Sequence, residues 1–158
     1  MNIKIKKFKE NAFLPIKGTD GAAAYDLKIP TGFCFDKPGR FVIPLGFGLE
    51  IPKGMEAKVE PRSGFSSKGI EGVTPWGSRE RFDADVLVGK IDSDYRGEVG
   101  VIISNRSNQE FVLTPGTRIA QLTFYQVEEA EFQEVDELSE TKRGSGGFGH
   151  TGSNEIKQ

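Results

Sequence analysis

The 158-residue chain contains one cysteine and one histidine, and each scarcity removes a class of protein. A lone thiol, Cys34, excludes an intrachain disulfide, and with His150 as the only imidazole a zinc site of the usual Cys/His kind is excluded as well. No apolar run approaches the ~18 residues needed to cross a bilayer. Charge of one sign is also missing: the formal net charge is −2 and the basic residues are scattered, which gives no basis for binding nucleic acid. The opening Met-Asn-Ile-Lys-Ile-Lys-Lys-Phe alternates instead of forming an apolar signal core, so a soluble, intracellular protein is expected. Long amphipathic helices and internal repeats are absent too. Cys34, between Phe33 and Phe35, reads as a small strand residue rather than a reactive thiol.

What remains is a succession of short strands. Ile3 to Lys6, Phe41 to Leu45, Gly46 to Ile51, Glu56 to Glu60, Val99 to Asn105, Glu110 to Leu113 and Arg118 to Val127 are each bounded by Gly, Pro, Asn or Asp. Turn signals recurring about every ten residues predict an all-β protomer, a β-barrel or distorted jelly roll, and exclude a βαβ fold. One helical turn is expected around Phe65 to Lys68. The length fits one domain. The only low-complexity segment lies near the end, Gly144 to Gly152, so the chain divides into a domain over 1–141 and an arm over 142–158.

Four segments carry chemistry. Ala22-Ala-Ala-Tyr-Asp-Leu27 presents Asp26 either as a structural turn residue or as a water-mediated ligand for a divalent cation. Pro61-Arg-Ser-Gly-Phe-Ser-Ser-Lys68 gathers Arg62, Ser63 and the Gly64 amide into a donor cluster suited to an anion. Gly89-Lys-Ile-Asp-Ser-Asp-Tyr-Arg-Gly97 places Asp92, Asp94, Tyr95 and Arg96 in a turn. Such a turn is either an ordinary acidic hairpin tip, or a grip for a flat ligand with one carboxylate acting as general base on water. The tail, Arg143 to Gly152, sets one guanidinium and one ring, Phe148, among five glycines. Such a segment is either a disordered tail or an arm that closes over a site. In the second case Arg143 would neutralise phosphate oxygens, Phe148 would stack on a base, and Thr151 and the glycine amides would bind anionic oxygens.

Read in order, the stretches GAAAYDL, PRSGFSSKGI, GKIDSDYRGEVGVIISN, PGTRIAQLTF and RGSGGFGHTG resemble the five motifs of the homotrimeric dUTP pyrophosphatase (dUTPase) family, spanning Gly21 to Gly152. The resemblance implies a dUTPase-like β-clip protomer and a homotrimer with three sites at subunit boundaries, each closed by a neighbour's arm. It also implies Mg²⁺-dependent hydrolysis of a deoxynucleoside triphosphate, dUTP, to dUMP and pyrophosphate. By the same resemblance Asp92 activates water, Asp26 holds hydrated Mg²⁺, and Arg62, Ser63 and Gly64 bind phosphate with Gln121 nearby. Tyr95 packs under deoxyribose, Arg143 clamps the γ-phosphate and Phe148 stacks on the base. Lys90, Ile91 and Gly100 join the substrate contacts in the third motif, and Thr151 joins them in the arm. The choice of Asp92 over Asp94 rests on the family pattern. A triphosphate carries about four negative charges, so Arg62, Arg143 and a metal are the charge-stabilising groups such a reaction needs.

The chain departs from that pattern where the base is read. Counting back from Asp92 without gaps, Val86 falls where the family usually has an Asn that helps recognise uracil, and its side chain neither donates nor accepts. The link before it is longer than usual, an insertion over 71–85 carrying Trp76, Arg79, Glu80, Arg81 and Asp83. The insertion is expected to be a surface excursion that leaves uracil selection intact. Alternatively, Asp83 or Asp85 reaches the site in a shifted alignment and favours a base with an amino donor, as in dCTP. In a further alternative, Pro75 to Arg79 binds a partner protein through Trp76, an exposed Trp76 favouring that reading and a buried one favouring a structural role. The related deoxycytidine triphosphate deaminases share the fold, but no motif here supplies the Glu that their deamination needs. His150 stands where the family usually has Ser and is expected to be tolerated in the mobile arm; alternatively it adds a titrating contact to phosphate.

Overall fold

A computed structural model describes residues 1–147. The chain divides after Glu128. The first unit, Met1–Glu128, contains every described strand and the single helix. Among the described residues no helix is long and apolar enough to cross a membrane.

Four antiparallel sheets build this unit. β1 (Lys4–Lys7) pairs with β6 (Phe47–Glu50). β5 (Gly39–Pro44), β12 (Gly100–Asn105) and β10 (Ala84–Leu87) form a three-stranded sheet with β12 central. The largest sheet has the order β11-β7-β14-β3-β2, from β11 (Gly89–Ile91) through β7 (Met55–Glu60), β14 (Arg118–Gln126) and β3 (Tyr25–Lys28) to β2 (Ile16–Lys17). The fourth runs β4-β13-β8-β9, using β4 (Phe33–Phe35), β13 (Phe111–Leu113), β8 (Ile70–Val73) and β9 (Arg79–Phe82). The result is the all-β, jelly-roll-like protomer that the strand spacing predicts. Cys34 lies in β4 as expected. Its thiol is exposed, and desolvation, followed by its hydrogen bond to Glu110, pushes the thiol pKa up.

Alternation along the large sheet separates two chemistries. Leu27, Val59, Ala57, Ala120 and Leu122 face the core and are nearly inaccessible. Asp26, Gln121 and Glu60 stand opposite one another on the outer face, followed by Thr123 opposite Lys58 and Tyr125 opposite Glu56. This polar face carries the candidate site.

The helix α1 (Ser63–Lys68) begins two residues before the expected turn and ends at Gly69, whose φ of 73° lies in the left-handed region. A Cβ on Gly69 would stand 2.3 Å from the Phe82 carbonyl oxygen, so this junction accepts only glycine.

The insertion is not a surface excursion. Its two stems are β8 and β9, a hairpin that forms the edge of the fourth sheet in the register Ile70↔Phe82, Glu71↔Arg81, Gly72↔Glu80, Val73↔Arg79. Phe82 stacks on Phe111 with ring centroids 4.0 Å apart, and Phe111 stacks on Phe35 at 4.7 Å. Burying aromatic rings of this kind contributes about 1.5–3 kcal/mol each. Only the turn protrudes, closed by Thr74 and Ser78. Gly72 makes room for the stack, since a Cβ there would meet Phe111 at 2.6 Å and Phe82 at 3.2 Å. Gly72→Ala is therefore expected to lower unfolding stability by about 1–3 kcal/mol, the cost of overpacking, read by urea denaturation.

The second unit begins at Glu129, and its described residues, 129–147, form no helix or strand. Their local order is two turns, in which Gly144 N–H donates to Thr141 O and Gly146 N–H donates to Arg143 O. Phe132 and Leu138 are almost fully exposed.

Candidate functional site

The centre of the polar face is Asp26. Its Oδ1 accepts from Arg62 Nε at 2.8 Å and its Oδ2 from Arg118 Nη1 at 3.1 Å, while the side chain is only 12% exposed. A nearly buried carboxylate held between two guanidinium groups is fixed in position and leaves one positive charge in excess. The Arg62 and Arg118 side chains remain 31% and 51% exposed, so their free N–H groups still face the cleft. Local sequence explains the arrangement. Arg62 is the extended N-cap residue of α1, directly after Pro61, and points back over β3.

Arg118 is the residue that strict alternation misses. It begins β14 in even register with the core residues Ala120 and Leu122, and would face inward in a regular strand. A bulge between Arg118 and Ala120 sets two residues of β14 against one of β3, buries Ile119 and Ala120 together and turns Arg118 outward. The readable signal is the turn before it, Thr114 to Thr117 with Gly116 at a φ of 84°.

A cleft of about 790 Å³ opens over Asp26. Arg62, Ser63, Gly64 and Gln121 line it, so the segments around Asp26, Arg62 and Gln121 converge. Nothing occupies the space where a Gly64 Cβ would stand. The far wall is Glu60, Thr123 and Tyr125, tied together by Thr123 Oγ1 donating to Glu60 at 2.9 Å and Tyr125 OH donating to it at 3.3 Å. Lys58 lies 4.2 Å over the Tyr125 ring. Beyond it, Glu56 accepts from Lys58 and Lys90. The Lys90 hydrogen bond holds the Glu56 carboxyl below its ordinary value against its desolvation, and the same bond raises Lys90.

The third-motif residues lie elsewhere. Asp92 follows β11, an edge strand of the large sheet, whereas Asp26 lies on β3, an inner strand between β14 and β2. Three strand spacings and four residues of register separate them, about 20 Å between backbones. The Asp92 carboxylate is exposed and has no hydrogen bond or ion pair among the described residues. Tyr95 is half exposed, its OH donates to Glu98 O at 3.1 Å, and its ring covers Gly97, where a Cβ would collide at 2.3 Å. Ile91 is 6% exposed and belongs to the core, with Lys90 beside it on the outer face. Gly100 starts β12 opposite Pro44.

Val86 lies in β10 opposite Ile103 at 5% exposure, so its side chain is committed to the core. Asp83 and Asp85 are both engaged by Arg106, at 3.1 Å from its Nε to Asp83 and 2.7 Å from its Nη1 to Asp85. That triad ties β10 to the end of β12 and gives neither acid a free oxygen pair for a base. Arg143 Nε donates to Gly146 O at 2.8 Å within its own turn. Phe148, His150 and Thr151 lie outside the described residues. Trp76, at the tip of the inserted hairpin, is 73% exposed.

No group of three His, Cys, Asp or Glu side chains suited to a metal occurs among the described residues. The donor set at Asp26, one carboxylate with two arginines, does not form a protein cage. It does fit a hydrated Mg²⁺ carried on phosphates, because Mg²⁺ keeps several waters and takes one or two carboxylates with substrate oxygens.

The dUTPase family model matches residues 10–152. The chain belongs to the dUTPase family. It is 44% identical over 154 residues to the deoxyuridine 5'-triphosphate nucleotidohydrolase of Syntrophotalea carbinolica, covering 96% of this chain and 97% of that one. It is 41% identical to the enzyme of that name from Oryza sativa subsp. japonica, covering 95% and 80%. In fold it is similar to a mutant dUTPase of Staphylococcus bacteriophage 80alpha, solved with dUpNHpp. The TM-score is 0.81 at 23% identity, over 96% of this chain and 98% of that one. A dUTPase of phage phi11 of S. aureus, described for its coordination of a structural Mg(II) ion, gives 0.73 at 21% identity over 87% and 98%. These neighbours bear out the expected dUTPase-like β fold.

Proposed function

We propose that the chain hydrolyses dUTP to dUMP and pyrophosphate with Mg²⁺, as an intracellular homotrimer whose sites are completed by neighbouring copies. The observation that carries this reading is the pairing of Asp26 with Arg62 and Arg118 at the floor of an open polar cleft, in a member of the dUTPase family. The cleft offers guanidinium groups, Ser63 and the Gly64 amide to phosphate oxygens.

A general base must lie within about 3 Å of the proton it removes, or one water away. Asp92 and Asp26 of one copy stand too far apart to share a phosphate chain, whereas a threefold ring brings the Asp92 turn of one copy to the Asp26 cleft of the next. In that assembly Asp92 takes a proton from water as its oxygen bonds to the α-phosphorus. The bond from that phosphorus to the bridging oxygen breaks, and its electron pair leaves with pyrophosphate. Arg62 and Arg118 neutralise the oxygens on which charge accumulates, and Gln121 orients the chain of phosphates. Asp26 would hold the Mg²⁺ through water, and the ion, when bound, spreads the negative charge of the phosphates. Tyr95 packs under the deoxyribose, leaving no room for a 2′-hydroxyl. With Val86 in the core and Asp83 and Asp85 engaged by Arg106, backbone groups around Lys90, Ile91 and Gly100 read the base. In the arm, Arg143 clamps the γ-phosphate, Phe148 stacks on the base and Thr151 meets phosphate.

The test is pyrophosphate release with Mg²⁺ across dUTP, dCTP, dTTP and UTP. A strong preference for dUTP is expected, and preference for dCTP or absence of turnover overturns the assignment. Deleting residues after Lys142 is expected to reduce turnover strongly without a change in melting temperature, because every described strand lies before Glu128. Loss of folding or full activity in the truncated chain would remove the role given to the arm.

A second reading adds a partner protein at the hairpin tip, favoured by the 73% exposure of Trp76. Trp76 is the sole tryptophan, so a partner that covers it would shift the emission of the whole protein to shorter wavelength.

A further inference from the structure

The inserted hairpin does more than extend a sheet. Its register sets Glu71 opposite Arg81 and Val73 opposite Arg79 on the face turned away from the Phe82 stack. Glu71 bridges both arginines, at 3.4 Å to Arg79 and 3.5 Å to Arg81. Arg81 Nη1 also donates to the Gly69 carbonyl at 3.0 Å, which ties its guanidinium to the junction that only glycine can form. Arg81 is thus held by a rigid support, with 46% of its side chain still exposed.

A cavity of about 280 Å³ lies under this face, and Arg81, Glu71, Thr117, Arg118, Arg62 and Gly64 line it. Arg62, Gly64 and Arg118 also line the larger cleft over Asp26, so the two spaces share a wall. A further recess of about 340 Å³ continues past Arg118 and Thr117 to Arg79. The trough therefore carries four guanidinium groups, Arg62, Arg118, Arg81 and Arg79, against the two carboxylates that pair with them, Asp26 and Glu71. With Glu60 on the far wall of the cleft counted as well, one positive charge is left over. Structural ion pairing needs no such surplus; an anion at the end of a phosphate chain does.

We propose that the hairpin adds a phosphate subsite, formed by Arg81 with Arg118, at the outer end of the cleft. It takes the terminal phosphate of a bound nucleoside triphosphate and retains pyrophosphate after cleavage. The assignment of the cleft to triphosphate rests on the function proposed above, whereas affinity for pyrophosphate does not. Glu71 acts as the counter-charge that keeps the two arginines oriented and limits how tightly the product is held.

The test is calorimetric titration of the intact, full-length protein with inorganic pyrophosphate, together with steady-state kinetics on dUTP and a melting curve for each variant. Arg81→Gln is expected to weaken pyrophosphate binding at least about tenfold, one such step being ~1.4 kcal/mol. It should raise KM for dUTP by a similar factor, and leave kcat within about twofold and dUMP affinity unchanged. Glu71→Gln removes the counter-charge and should change pyrophosphate affinity in the opposite direction. An Arg81→Gln protein of unaltered melting temperature that binds pyrophosphate as the parent does would overturn the subsite, as would Glu71→Gln binding it more weakly. If the parent protein turns over no dUTP, the functional reading fails while the pyrophosphate titration still decides the subsite.

Discussion

Asp92→Asn is expected to cut turnover of dUTP by about a hundredfold to ten-thousandfold, the range that a positioned general base contributes, while nucleotide binding survives. The substitution is nearly isosteric and replaces only the group that accepts the proton. Asp92 is exposed and its carboxylate supports no hydrogen bond or ion pair among the described residues, so the barrel has nothing to lose and the melting temperature should not move. The neighbouring acid is the internal control. Asp94 is two residues on in the same exposed turn, and Asp94→Asn should leave kcat within a few-fold of the parent. Equal losses in the two variants would show that the turn contributes only charge and that neither carboxylate is the base. Binding measured with a non-hydrolysable dUTP analogue separates loss of chemistry from loss of affinity.

The sequence made the frame of this site legible and hid its assembly. Alternation between Gly and Pro boundaries located most of the long strands, because each has one face in the core and one in water. Glu56 to Glu60 is the clearest case: Ala57 and Val59 are buried, while Lys58 and Glu60 stand half-buried on the opposite, polar face. Asp26 and Arg62 were legible as chemistry because polar residues on otherwise regular strand or turn segments need a reason, whereas Gln121 was reached only through the family resemblance. Arg118 was hidden by a bulge that breaks the period on which such a reading depends. The hairpin from Ile70 to Phe82 was hidden for a different reason. Charged Glu71, Arg79 and Arg81 alternate with Ile70, Gly72 and Phe82, and in so short a stretch the alternation is masked by the Pro75-Trp-Gly turn. Val86 shows the limit of counting without gaps. The position it occupies by number is a core position of β10, so the count identifies a residue but not the direction of its side chain. Distance in the sequence likewise says nothing of which copy of the chain supplies a group, and only the sheet order sets Asp92 three strand spacings from Asp26.

That separation leads to the second large effect. Arg62→Ala disables the cleft and Asp92→Asn disables the turn, and each variant alone should be nearly inactive. Arg62→Ala should still fold, since Arg118 continues to pair with Asp26. If a site takes its cleft from one copy and its turn from another, unfolding the two variants together in equal amounts and refolding them creates sites in which both parts are intact. Half of the clefts and half of the turns are intact, so about a quarter of parental activity should return from two dead proteins, the proportion set by random assembly around a threefold axis. Mixing the folded variants without unfolding should restore nothing until subunits exchange. If cleft and turn belong to the same copy, no ratio of the two variants regains activity, because every site carries one lesion. Recovery therefore distinguishes a shared site from a self-contained one by a signal rising from near zero, and its dependence on the mixing ratio, greatest at equal amounts, ties the signal to assembly rather than to contamination by parental enzyme.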